Sequence, residues 1–195
     1  MGVSFCWVGV EAKTADEVYA RLGVFETGAS GDCYDFPISG LMLPSSWFLL
    51  AAKGCDHAIL SSRVLSEISA NGSAIACSIE EHVMYQSAGF WRDGQEIWSV
   101  KHRGGDYGVM DLVVNGSPPE PFEELRTRYM REQMAEGGAE ADADLIAEIP
   151  LDLARSITGF KHDEVNPAID GYFRELRGHA TGLLAEAARR RWKFW

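Results

Sequence analysis

Arg92-Asp93-Gly94-Gln95 lies between two runs of β-forming residues, and this constrains the fold more than any other feature of the chain. An Asp-Gly pair supplies the two positive-φ positions of a type I′ turn, whose twist matches that of the strands it joins. The runs at residues 73–85 and 90–102 are therefore predicted to form strands meeting in a tight hairpin. With a two-residue loop, Tyr85 faces His102 and Ser87 faces Val100. Side chains alternate along a strand, so Glu81, Val83 and Tyr85 share a face with Trp98, Val100 and His102. Glu80, His82 and Met84 point to the other face. A one-residue bulge would exchange the faces and undo this pairing.

The rest of the chain fills in around the hairpin. Residues 3–11 are rich in Phe, Trp and Val with apolar residues on both faces, as in an interior strand. Thr14 and Glu17 form a capping box for a helix that Gly23 ends. Residues 27–35 read as a loop, 35–43 and 47–52 as strands, and a helix opens at Ser61-Ser62 and stops at Asn71-Gly72. Trp7, Ala12 and Lys13 recur as Trp47, Ala52 and Lys53, forty residues on, which implies a β-α-β-β-α-β order of the ferredoxin-like kind.

A further strand is expected at 107–114, and a helix begins near Glu120, where Phe122, Leu125 and Tyr129 recur at helical spacing. Residues 132–152 carry seven acids and no base; Gly137-Gly138 stops the helix, and the acidic stretch that follows reads as a mobile, solvated linker up to Leu145. Residues 145–150 read as extended and 151–158 as a helix closed by Gly159. From Ile169 to Ala187 apolar residues fall at helical spacing (Tyr172, Phe173, Leu176, Ala180, Leu183, Leu184), predicting one long helix. The expected fold is α+β: an antiparallel or mixed sheet with flanking helices over residues 1–116, and a helical extension over 117–195 packed on it.

Net charge is −11, from 18 Lys and Arg against 29 Asp and Glu. A surface that tracks phosphates needs a positive field, so nucleic-acid binding is disfavoured. The largest concentration of positive charge is the tail Arg189-Arg190-Arg191-Trp192-Lys193-Phe194-Trp195, read as a helix terminus whose tryptophans pack on the body. Four cysteines, at 6, 33, 55 and 77, fit no zinc spacing and no C-x-x-C motif. No apolar run is long enough to span a membrane and the N-terminus lacks a signal-peptide pattern, so a cytoplasmic location is expected.

Motifs that announce an enzyme class are missing: no G-x-x-x-x-G-K-S/T, G-x-G-x-x-G, G-x-S-x-G or H-E-x-x-H, and no cofactor or metal is implied. The strongest chemical constellation is Glu81 with His102, a carboxylate beside an imidazole at the sheet rim, suited to general acid/base work. His162 and Asp163, in a loop between two helices, complete the candidate catalytic set if that loop folds over the rim. The competing structural reading is a rim salt bridge, or a histidine bonded to Tyr85. Tyr85, Trp91 and Trp98 are candidate ligand-binding aromatics on strands, where core packing competes with pocket lining. Glu140, Asp142 and Asp144 alternate with alanines and lack the turn glycine of a cation loop.

Two functions follow. The first is an acidic binding or regulatory protein, such as an inhibitor or immunity-type partner of a basic protein, with a homo-oligomer as the other expected association. The second is a hydrolase or metal-dependent enzyme built on Glu81, His102, His162 and Asp163.

Overall fold

The computed structural model describes residues 2–12 and 14–191. Lys13 of the internal echo and the tail residues Trp192, Lys193, Phe194 and Trp195 lie outside the described residues, as do the side chains of Arg190 and Arg191. No described helix is long and apolar enough to cross a membrane.

In chain order the elements are β1 (Ser4–Glu11), α1 (Ala15–Leu22), β2 (Val24–Gly31), β3 (Ile38–Met42), β4 (Trp47–Lys53), α2 (Ser62–Ile68), β5 (Ser73–Glu80), β6 (Tyr85–Arg92) and β7 (Gln95–Arg103). There follow α3 (Gly104–Tyr107), β8 (Val113–Gly116), α4 (Pro121–Ala135), α5 (Glu148–Thr158), β9 (Phe173–Gly178) and α6 (Leu183–Arg191). The protein is α+β: among the described residues, six helices accompany one nine-stranded sheet in the order β2-β9-β3-β4-β1-β5-β6-β7-β8. Every neighbouring pair is antiparallel. From β1 to β5 the order is β-α-β-β-β-α-β, one strand more than the sequence reading. The strands carrying the echo, β1 and β4, are direct neighbours, and Gly9 faces Leu49, forty residues on.

Both faces of the sheet are covered. On one, Phe5, Trp7, Ile75, Ile79, Val100 and their neighbours pack against α4 and α5 through Phe122, Tyr129, Ile149 and Leu153. On the other, Val8, Val10, Phe48 and Leu50 pack against Val18 of α1, Leu65 of α2 and Leu184 of α6. Two-sided burial is why β1, β4 and β5 read as almost unbroken apolar runs. Local signals hold where they are self-contained. Thr14 Oγ1 accepts from Glu17 N–H at 3.3 Å, and Gly23 ends α1 in the left-handed conformation.

Several expectations are corrected. Residues 27–31 of the expected loop 27–35 belong instead to an edge strand, β2; it is mostly exposed, so it carries no apolar alternation. Residues 73–85 do not form one strand. The chain turns at Glu81–Val83, with Met84 at φ 47°, so β5 and β6 are neighbours and three strands stand where two were expected. The piece at 145–150 is helical from Glu148. The last strand of the first stretch is shorter and later than expected, Val113–Gly116. The long final helix is instead β9 and α6, and β9 lies between β2 and β3. Phe173 and Leu176, three residues apart, lie on opposite faces of the sheet, each in a different core cluster. In a sheet covered on both sides that spacing buries both residues, which mimics a helical stripe.

Candidate functional site

The hairpin forms as its turn residues require: Asp93 and Gly94 have φ of 50° and 80°. Its register is not the simple one. Arg92 faces Gln95 and Trp91 faces Glu96, but a bulge follows, so that Phe90 faces Trp98. Beyond the bulge Gln86, not Tyr85, lies opposite His102, and Ala88, not Ser87, opposite Val100. The slip of one residue turns Tyr85 to the face away from His102.

His102 is fully buried and makes two hydrogen bonds. Nδ1 donates to the Asp111 carbonyl at 2.7 Å, and Nε2 meets Asp144 Oδ2 at 2.8 Å. A carbonyl cannot donate, so Nδ1 carries a proton, and one further proton is shared between Nε2 and Asp144. The pair is then either imidazolium with carboxylate or imidazole with carboxylic acid, neutral overall in both forms. The Asp144 side chain is only 5% exposed, and its Oδ1, like Oε1 of Gln86, has no hydrogen-bond partner. Asp144 is therefore not part of a solvated linker. Gln133 ties down the segment before it, its Nε2 donating to the Gly138 and Ala143 carbonyls and its Oε1 accepting from Leu145 N–H. Sequence reasoning set Asp144 aside with Glu140 and Asp142, because carboxylates alternating with alanines carry no sign of burial. Next to the pair, Arg103 grips Asp111 through two bonds of 2.9 and 3.0 Å and lies over the Tyr107 ring. That grip raises the Arg103 guanidinium and lowers the Asp111 carboxyl.

Glu81 does not join His102. It sits in the turn after β5, where its Oε2 accepts from Val3 N–H at 2.8 Å. It lies instead in the electrostatic neighbourhood of His162, together with Asp163 and Glu148. Three of the four expected catalytic residues thus gather at one end of the sheet, and His102 is paired elsewhere.

At that end, Gly159 closes α5 in the left-handed conformation and Thr158 Oγ1 accepts from Phe160 N–H. Phe160 inserts edge-on against Trp7, with centroids 5.2 Å apart. His162 follows, its ring stacked on Phe5, while the Tyr34 hydroxyl donates to the His162 carbonyl. The two loops bound a cleft of about 310 Å³. Tyr34, Phe160 and Phe173 give it apolar surface; Asp32, Asp163, Glu164 and Asp170 give it four carboxylates, and among the described residues no Lys or Arg lines it. Glu164 is paired with Arg155 at 2.9 Å. Asp32 and Asp170 also brace the loops, accepting from Gly171 N–H and Asn166 N–H. The His162 side chain is 3% exposed, yet neither ring nitrogen has a hydrogen-bond partner. Asp163 Oδ1 stands 3.8 Å from Nδ1, beyond hydrogen-bond reach. Burial lowers the His162 pKa against the pull of the nearby carboxylates, so the ring is held neutral.

Cys33 lines the same cleft, but burial and then the Asp32 charge push its thiol up to about 12, the reverse of an activated nucleophile. Of the candidate aromatics, Tyr85 and Trp91 line a trough of about 230 Å³ on the other sheet face, with Ser87, Ser99 and Lys101. Trp98 is core, stacked on Phe90 at 6.0 Å. Among the described residues, no three His, Cys, Asp or Glu converge to hold a metal ion. The chain matches no family model, and no curated protein and no solved structure matches it.

Proposed function

We propose that the protein is an acidic binding or regulatory protein, an inhibitor or immunity-type partner of a basic protein. The observation that carries this reading is the cleft between residues 32–34 and 160–173, with four carboxylates, of which Glu164 is paired with Arg155, apolar walls and, among the described residues, no Lys or Arg in its lining. Against a net charge of −11, such a cleft concentrates the negative field where a partner's side chain can be desolvated. A cytoplasmic location belongs to the same reading.

The hydrolase alternative has less in its favour. Its histidine at 102 is sealed from solvent, and the cysteine in the cleft is held as a thiol. It keeps one supporting observation, the gathering of Glu81, Asp163 and His162.

The test is calorimetric titration with hexalysine and hexa-arginine at low and at physiological salt. Binding is expected at low salt, weakening as salt screens the charges. The triple replacement Asp32→Asn, Asp163→Asn, Asp170→Asn keeps an acceptor oxygen at each position and should weaken binding by about tenfold or more. Absence of binding at low salt, or binding unchanged by the triple replacement, would remove the reading.

A further inference from the structure

We propose that the cleft beside His162 is an arginine socket: it takes the guanidinium of one arginine side chain presented by a basic partner. The proposal rests on the binding reading above and names the group bound. Its independent support is His162. A 97%-buried ring with two unpartnered nitrogens is costly to keep, because each unmet polar atom forgoes its bond to water. A neutral imidazole offers one N–H and one lone pair. Asp163, exposed and 3.8 Å from Nδ1, needs only a small side-chain movement to accept from Nδ1–H. Nε2 is then left as a buried acceptor on a side chain that lines an acidic cleft, and it calls for a ligand that donates.

Among donors, the walls favour a guanidinium over an ammonium. A guanidinium is planar, weakly hydrated, stacks on aromatic faces and carries five N–H groups in a fixed fork. Tyr34, which is 37% exposed, and Val165 at the mouth offer surface for the plane and the stem. Asp163 and Asp170 offer oxygens for the donors that do not reach His162. A lysine ammonium is compact and strongly hydrated, and satisfies the charge without the stacking. The volume, about 310 Å³, is at the small end for ligand pockets and suits a single side chain.

Hexa-arginine and hexalysine carry equal charge, so their comparison removes the general electrostatic attraction. Hexa-arginine is expected to bind about tenfold tighter than hexalysine, and His162→Gln to abolish that preference while leaving hexalysine binding in place. In the wild-type protein the ring nitrogen resonances of His162 should move with hexa-arginine and stay with hexalysine. Asp163→Asn, at an exposed position, reduces the preference even if His162→Gln does not fold. Equal affinity for the two peptides, with His162 resonances unmoved, overturns the socket and leaves the acidic-partner reading standing. Binding of neither peptide overturns both.

Discussion

His102 Nε2 and Asp144 Oδ2 lie 2.8 Å apart, with side-chain exposures of 0% and 5%. The bond joins β7 to the acidic segment ahead of α5, across 42 residues of chain. Its place is structural: it fastens the C-terminal layer to the sheet, with both side chains almost wholly buried.

Removing one partner strands the other. Asp144→Ala is expected to cost about 3–5 kcal/mol in urea denaturation. Asp144→Asn should cost less, since its amide donates to an unprotonated Nε2. Equal losses for the two variants would show that the hydrogen bond does not hold the layer in place.

Gly104 makes the pair sterically feasible. A Cβ at this position would stand 2.4 Å from Asp144 Oδ2 and 2.6 Å from His102 Nε2. Gly104→Ala is expected to destabilise by about 1–3 kcal/mol. Because the closest clash is with Asp144 while that with His102 Nε2 remains, the cost should shrink in part in an Asp144→Ala background, a coupling of about 0.5–3 kcal/mol in a double-mutant cycle. Additive effects would mean the close approach is relieved elsewhere.

The four cysteines should separate by reactivity. Cys55 is partly exposed, whereas Cys6, Cys33 and Cys77 are buried; burial raises the thiols of Cys33, Cys55 and Cys77 alike, so accessibility is what separates them. Brief iodoacetamide treatment of the native protein at pH 8, read by peptide mass spectrometry, is expected to modify Cys55 first. Faster modification of Cys33 would contradict the burial that its cleft implies.

His162 sets a pH dependence with a definite sign. Burial lowers its folded-state pKa below the ordinary 6.5; Asp163, Glu81 and Glu148 oppose the shift and Lys161 adds to it. The unfolded chain therefore takes up the proton first as pH falls. The stability present above pH 6.5 declines as pH drops below that value toward the folded pKa. Wild-type protein should lose more stability than His162→Gln over this window, and parallel profiles would show that His162 is not the group responsible.

Two-sided burial of β9 is checked by three alanine variants. Phe173→Ala and Leu176→Ala should each cost about 2–5 kcal/mol, because each fills a core on its own side of the sheet. Tyr172, 60% exposed, should tolerate alanine with little change. A helix through this segment would group Tyr172 with Phe173 and Leu176, and a large loss at Tyr172 would favour it.

What the chain's own letters determined is whatever depends on neighbours in sequence. The Thr14 cap on Glu17 N–H, the left-handed stops at Gly23 and Gly159, the Asp93-Gly94 reversal and the interior character of β1, β4 and β5 follow from turn chemistry and apolar runs. They hold because their energetics close within a few residues. Tertiary structure alone decided the rest. The bulge between Phe90 and Trp91 shifted the register and replaced Tyr85 by Gln86 opposite His102, since one extra residue turns a whole strand over. Asp144 became buried because His102, distant in sequence, met its Oδ2 while Gln133 held the backbone of the flanking Ala143 and Leu145. Phe173 and Leu176 became strand residues because a sheet covered on both faces buries either parity. The cleft at His162 exists only where two loops more than a hundred residues apart lie side by side, joined by the bond from Tyr34 to the His162 carbonyl. Long-range pairing selects among local patterns that are equally good on their own, and that selection placed the charged groups of this protein.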